Sequence, residues 1–280
     1  MKIYNINTPN FKVDGGAMFG VIPKSMWQKV YPADENNMCN LANRCLLVDN
    51  GNRRILIDTG IGDKHNEKFL SHIYVNGNYD LLTSLKEAGY EAEDITDVIF
   101  THLHWDHCAG ATKYSADKTK IELTFPNAIH WTSAKQWNWA MNPNIREKAA
   151  FQAENLLPIK ENGNLKLIEN NTFLYDGIEI RIYDGHTKGM ISVIIHTKDK
   201  TIALPADLIP TTAHFSLPWI SAYDIEPMLL LKEKEEFLNE AYEKNWILFF
   251  EHDIFTECCT LQKTEKGIKE NTRFLLKEIF

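Results

Sequence analysis

Three histidines and an aspartate lie within six consecutive residues, in the sequence HLHWDH. The apolar run Val98–Phe100 precedes them and predicts a short strand. Alternate side chains of an extended chain point the same way, so His102 and His104 can share one metal ion. If a helix follows, it swings Asp106 and His107 to another side of the same pocket. Imidazole and carboxylate ligands at this density indicate a divalent metal such as zinc, held at about 2.0–2.1 Å.

Three later residues are further candidates for metal ligands. His186 lies between two glycines, Gly185 and Gly189, where the backbone can turn sharply. Asp207 and His252 each follow an apolar run that predicts a strand. Strand ends on a rigid scaffold are where side chains are presented to a site.

Together these features resemble the metallo-β-lactamase superfamily, and the segment LIDTGIG at 56–62 resembles that family's first motif. The resemblance implies an α/β (α+β) fold, a four-layer αββα sandwich of two mixed sheets flanked by helices. It also implies two divalent metal ions per chain. Zn²⁺ is the expected metal, and Fe and Mn are the alternatives. The implied roles are His102, His104 and His186 on the first ion, Asp106, His107 and His252 on the second, Asp207 bridging both, and Asp58 orienting the ligands.

The N-terminal segment 14–24, DGGAMFGVIPK, is similar to the branch of that superfamily that includes quorum-quenching lactonases and methyl parathion hydrolases. The later segments 206–211 and 218–224 are similar to it as well. The best-known lactonases of the branch carry a Tyr three residues after the bridging Asp, where this chain has Pro210. Tyr223 and His214 are the candidates to replace it. The residues that we expect to line the substrate pocket are Met18, Phe19, His214 and Tyr223.

The hypothesis that follows is a dinuclear metal-dependent hydrolase. A metal-bridging hydroxide would open the lactone ring of N-acyl homoserine lactones or a similar small ester. Asp106 and Asp207 are the predicted catalytic carboxylates. A phosphotriesterase or another small-molecule hydrolase is the alternative within this class, and an iron-containing oxidoreductase is the alternative from a different class. Diiron relatives carry Glu where this chain has His104, and they also carry a flavin domain.

The pattern of apolar residues predicts the elements that position these side chains. Strands and amphipathic helices mix without a regular βαβ rhythm, which favours two sheets covered by helices in a single domain, 1–280. The turn Asn50-Gly51-Asn52 predicts a hairpin. The predicted strands are 44–48, 54–58, 98–100, 178–183, 190–196, 201–204 and 246–250, and the predicted helices are 81–88, 233–243 and 263–280.

Charge and composition disfavour some classes of binding partner. The formal net charge is -8, which disfavours a nucleic acid, because its phosphates demand a positive surface. No apolar stretch approaches the ~18 residues of a membrane-spanning helix, and the first residues do not form a signal peptide. We therefore expect a cytoplasmic protein that acts on a small molecule, and leave a homodimer open. The five cysteines form no CxxC pair and are expected to be free and mostly buried.

Overall fold

A computed structural model describes all residues, 1–280, and divides the chain into two compact units. The first unit comprises 1–10, 43–170 and Phe280, and the second comprises 11–42 and 171–279. The prediction of a single domain stays a prediction.

The first unit is built on a six-stranded sheet of order β1-β2-β3-β4-β7-β8. β2 and β3 are antiparallel and confirm the predicted hairpin, whereas β3, β4, β7 and β8 run parallel. A separate pair of strands, β5 and β6, is antiparallel. The strands are β1 (Lys2–Asp14), β2 (Met38–Asp49), β3 (Arg54–Ile57), β4 (Asp97–Ile99), β5 (Thr112–Tyr114), β6 (Ile121–Leu123), β7 (Ile129–Ser133) and β8 (Leu165–Ile168), of which β1 and β2 continue into the second unit.

Helices cover this sheet through apolar side chains. Leu85, Trp137 and Leu156, from three different helices, share one buried cluster with Leu56 and Val98 of the strands. The helix predicted at 81–88 is confirmed, and it begins where the side chain of its N-cap residue accepts a hydrogen bond. The helices of this unit are α3 (Glu67–Ile73), α4 (Leu81–Glu87), α5 (Trp105–Cys108), α6 (Ala134–Met141) and α7 (Ala153–Glu161).

The second unit is built on a seven-stranded sheet of order β15-β14-β13-β12-β11-β10-β9. Only β12 and β13 are parallel, so this sheet is also mixed. Phe237 and Leu238 of the long helix α8 (Pro227–Glu243) pack in one cluster with Ile194 and Leu248 of the strands. The elements are α1 (Gly15–Phe19), α2 (Lys24–Trp27), β9 (Thr172–Tyr175), β10 (Ile178–Tyr183), β11 (Met190–His196), β12 (Thr201–Leu204), α8 (Pro227–Glu243), β13 (Ile247–Phe249), β14 (Cys258–Thr264) and β15 (Gly267–Phe274).

The helix predicted over 263–280 is wrong. The chain forms the hairpin β14–β15 there, followed by a single 3-10 turn at Leu276–Glu278. Thr264 pairs with Gly267 across a two-residue turn, and Gly267 has φ 107°, a conformation that favours glycine. β14 also pairs with the buried strand β13, so hydrogen bonding to the sheet outweighs the helical preference of this Lys- and Glu-rich segment.

Other predictions for the elements hold. The strands at 178–183, 190–196 and 201–204 agree with β10, β11 and β12, and α8 begins six residues before the predicted 233 because Pro227 fits a first helical turn. All five cysteines are free and buried. No helix combines the length and the apolar composition needed to cross a bilayer. The predicted class, α/β with two mixed sheets flanked by helices, is confirmed.

Candidate metal centre

The histidine-rich segment emerges from the end of β4 and turns into α5 at His104, as the spacing predicted. His102 and His104 precede the helix, and Asp106 and His107 lie in its first turn. Their polar atoms converge. One ring nitrogen of His102 lies within 4.8 Å of a ring nitrogen of His104 and of His107, and Asp106 Oδ2 lies 3.6 Å from His107 Nε2. The four side chains can therefore meet metal ions from one side of the first unit.

Asp58 holds this segment in place, as its predicted orienting role requires. Its carboxylate accepts hydrogen bonds from Thr101 N at 2.7 Å and from Thr101 Oγ1 at 2.5 Å. It also lies 2.8 Å from His107 Nδ1. A carboxylate only accepts, so Nδ1 carries the proton and Nε2 presents its lone pair. Because Thr101 Oγ1 donates to Asp58, it can accept from His102 Nδ1 at 3.1 Å, which leaves His102 Nε2 as the ligand atom.

Glu147 serves His104 in the same way, and the sequence reasoning missed it. Its Oε1 lies 3.4 Å from His104 Nε2, so His104 would bind metal through Nδ1. Trp139 Nε1 and Asn144 Nδ2 donate to the other carboxylate oxygen at 2.7 and 3.1 Å. The Glu147 side chain is buried, and it lies 43 residues from its partner without a motif to mark it.

A close backbone contact sets where the histidine segment sits. Thr59 N donates to His107 O at 2.8 Å, and Gly110 N donates to Gly60 O at 3.0 Å. A Cβ at Gly110 would lie 2.1 Å from Thr59 O, so only glycine permits the approach. Lys64 Nζ donates hydrogen bonds to the carbonyl oxygens of Ala109 and Thr112, which follow α5. Burial of Lys64 lowers its pKa to about 8.

The second unit brings the other three predicted ligands together. Asp207 lies in a 3-10 turn after β12, with one oxygen 3.3 Å from His186 Nε2 and the other 3.2 Å from His252 Nε2. Two ligands at about 2.1 Å from one ion and about 100° apart are themselves about 3.2 Å apart. At this spacing each oxygen of Asp207 could share an ion with a different imidazole.

The far nitrogens of these two histidines are also fixed. His186 Nδ1 lies 2.8 Å from Asp224 Oδ1, and His252 Nδ1 lies 3.1 Å from the carbonyl oxygen of Ala42. Asp224 Oδ2 accepts from Ser221 N at 2.8 Å, and burial raises the pKa of its carboxyl. The sequence reasoning gave Asp224 no role, because its partner lies 38 residues away.

Three of the four predicted pocket residues are packed against one another in the second unit. The His214 ring stacks on Phe19 at 4.8 Å and 6°. His214 Nε2 donates to Met18 O at 3.0 Å, and Nδ1 accepts from Thr211 Oγ1 at 2.7 Å. Burial lowers the pKa of His214 to about 4, so the ring is neutral. Tyr223 is the exception, with 46% of its surface exposed. Contact of these four residues with a substrate stays a prediction.

The donor set fits divalent metal ions. It offers imidazoles and carboxylates, which suit zinc and its neighbours among the first-row metals. Each histidine has one ring nitrogen directed to an acceptor of its own unit. Histidines that bind a metal usually donate their second ring N–H to such an acceptor.

Comparisons with known sequences identify the family of this chain and its relatives. The sequence profile of the metallo-beta-lactamase superfamily matches residues 41–252. N-acyl homoserine lactonase of Bacillus cereus is 28% identical over 246 residues, 83% of this chain and 86% of the relative. The enzyme of that name from Bacillus thuringiensis is 26% identical over 234 residues, 79% of this chain and 84% of the relative.

Solved structures show the same relationship. A probable metal-dependent hydrolase from Staphylococcus aureus is 30% identical, with a TM-score of 0.90 over 100% of this chain and 98% of the other. AidC, a dizinc quorum-quenching lactonase in complex with a product, shares the fold at 21% identity, with a TM-score of 0.80 over 98% of this chain and 95% of the other. The matched residues 41–252 contain all seven predicted ligands, and the chain belongs to the metallo-beta-lactamase superfamily as a hydrolase with metal-binding groups of His and Asp.

Proposed function

We propose that this protein opens the lactone ring of N-acyl homoserine lactones with the help of two divalent metal ions, zinc in the first place. Asp207 would bridge the two ions. The observation that carries the proposal is the Asp207 carboxylate, whose two oxygens face the Nε2 atoms of His186 and His252 at 3.3 and 3.2 Å. The ions would be held by His102, His104 and His186 on one side, and by Asp106, His107 and His252 on the other.

When bound, such ions polarise the scissile carbonyl and lower the pKa of water, which makes hydroxide available at neutral pH. The chain's own residues prepare this chemistry. Asp58, Glu147 and Asp224 keep one proton on the outward nitrogen of their histidines, so that the inward lone pairs stay available. A carboxylate oxygen of Asp207 would take the proton of the attacking water and return it to the ring oxygen as the ester bond breaks. Asp106 is the second carboxylate at the reacting centre.

The substrate class is supported by the relatives, which carry the name N-acyl homoserine lactonase. Pro210 has no hydroxyl with which to bind a substrate oxygen. Both ring nitrogens of His214 are hydrogen-bonded within the second unit. Tyr223 is therefore the better candidate for that contact. A second candidate is hydrolysis of an aryl phosphotriester, because the branch that this chain resembles also includes methyl parathion hydrolases.

Parallel assays separate these functions. The zinc-loaded protein is given homoserine lactones of different acyl length and, separately, an aryl phosphotriester. We expect ring opening of the lactones, and no activity in His186→Ala. His196→Ala is the matched control, because His196 is a half-buried histidine of the same unit that pairs with Glu179. Hydrolysis of neither substrate by wild-type protein would refute the proposal, and visible absorption of the purified protein would favour iron.

Several expectations accompany the proposal. A small-molecule substrate is part of it, whereas cytoplasmic location, a homodimer and the lack of nucleic-acid and membrane partners stay predictions. Fe or Mn would replace zinc in the same donor set.

A further inference from the structure

Lys234 is a wholly buried lysine on α8 of the second unit. Its ammonium donates to three backbone carbonyl oxygens, those of His214 at 3.0 Å, Ser216 at 3.0 Å and Trp219 at 2.8 Å. An ammonium has three donors, so these three carbonyls use all of them. All three belong to one connecting stretch, whose one regular element is the 3-10 turn Thr212–Phe215.

That stretch is the loop 211–224, which begins just after Asp207 and ends at Asp224. Its first residues are held by Asp253, whose Oδ2 accepts from Thr212 N at 2.7 Å and from Thr212 Oγ1 at 2.6 Å. Its last residues are held by α1, since Ala222 N donates to Ala17 O at 2.8 Å. The middle, 214–219, is where Lys234 binds. The lysine therefore connects the centre of the loop to a long helix.

The energetics of burial show what such a lysine is suited to do. Burial lowers the pKa of Lys234 to about 7, so the charged form is costly to keep in this place. An apolar side chain of similar length would avoid that cost. The lysine offers instead directional hydrogen bonds. Because its three acceptors lie at fixed places, they define one shape of the loop.

We infer that Lys234 is a positioning residue that fixes the 211–224 loop in the shape in which it binds the acyl part of the substrate. The inference rests on the proposed function, since the loop carries Tyr223 and holds Met18 through His214. The ligand end of the loop has supports of its own. Ile225 N donates to His186 O at 3.2 Å, and Asp224 is held by Ser221 N. Loss of the lysine should therefore weaken substrate binding much more than metal binding.

The test compares Lys234→Met and Lys234→Gln with Lys232→Met. Lys232 is an exposed residue of the same helix, with 70% of its side chain accessible, and serves as the control. We expect Lys234→Met to raise KM for an N-acyl homoserine lactone at least about tenfold, as expected when several charged hydrogen bonds are lost. KM for an unsubstituted γ-lactone, kcat, and the metal content should stay near wild type. Lys234→Gln keeps two donors and should fall between.

Hydrogen exchange tests the positioning without any substrate. The amides of 214–220 should be protected in wild type and in Lys232→Met, and should exchange faster in the Lys234 variants. Unchanged KM and exchange in a folded variant would overturn the inference, as would parallel loss of metal and kcat. If neither variant folds, rapid exchange of these amides in wild type would overturn it and protection would support it. If wild-type protein opens no lactone, the proposed function is refuted. The exchange data then still test whether Lys234 fixes the shape of the loop.

Discussion

Each of the five candidate histidine ligands has one ring nitrogen directed to an acceptor in its own unit. The acceptors differ in kind: a threonine hydroxyl, three carboxylates and a backbone carbonyl. They have the same consequence, because each fixes the tautomer and so selects the nitrogen that faces inward. The five histidines are His102, His104, His107, His186 and His252.

The candidate ligands were singled out from the sequence, whereas of these five acceptors only Asp58 was. His102 and His104 are revealed by spacing, and Asp58 by its family motif. Glu147 and Asp224 meet their histidines only through the folded chain, across separations of 43 and 38 residues. No local pattern records such a contact, since it depends on how loops return to the strand ends.

Asp58→Asn tests the role of the acceptor. Asp58 has φ 58°, which Asn tolerates well, so the backbone should keep its shape. The new amide group places a donor where a carboxylate oxygen accepts from Thr101 or His107. We expect metal affinity to fall about 10–100-fold in a chelator competition. Asp63→Asn, an exposed change nearby, should have no effect, and equal affinities of all three proteins would disprove the role.

At the scale of elements, the segment 58–64 and the segment 107–112 form one support for the histidines. Their backbones are in contact at Gly110, and Lys64 of the first segment donates a hydrogen bond to Ala109 O of the second. The fold of this region follows from parallel strands β3 and β4, whose ends lie next to each other. Sequence reasoning anticipated the strands from their apolar runs. It failed at 263–280, where pairing with β13 and β14 decides the structure.

Gly110→Ala should separate the two segments. Its Cβ would meet the backbone oxygen of Thr59, an atom that cannot rotate away. We expect a loss of about 1–3 kcal/mol in the free energy of unfolding, together with weaker metal binding. Urea titration and chelator competition measure the two effects. Wild-type values for both would mean that the close approach is not required.

His130 on β7 should make the first unit sensitive to acid. The ring is fully buried against Phe100, and burial lowers its pKa to about 4 from about 6.5. Between these two values the unfolded chain binds a proton that the folded chain excludes, so stability falls as pH falls. The loss amounts to roughly 3 kcal/mol at pH 4. His130→Leu should reduce the slope of unfolding free energy against pH between 7 and 4.5, and an unchanged slope would show that His130 does not contribute.

At the scale of the whole molecule, the candidate ligands belong to two compact units. The first carries the cluster at 102–107, and the second carries His186, Asp207 and His252. Two mixed sheets with helices on them were predictable from the order of apolar runs and from the family resemblance. The pocket residues stay a prediction, and Phe19 and His214 are packed against each other.

The most direct test of the central claim is the number of metal ions per chain. Wild type, His104→Ala and His252→Ala are measured by mass spectrometry of the metals after gel filtration, with His196→Ala as the control. The proposal assigns His104 to the first ion and His252 to the second, so each is needed for the full complement of two ions. We predict two ions per chain in wild type and in the control, and fewer than two in either variant. Two tightly held ions in both variants, or fewer than two in wild type, would contradict the claim.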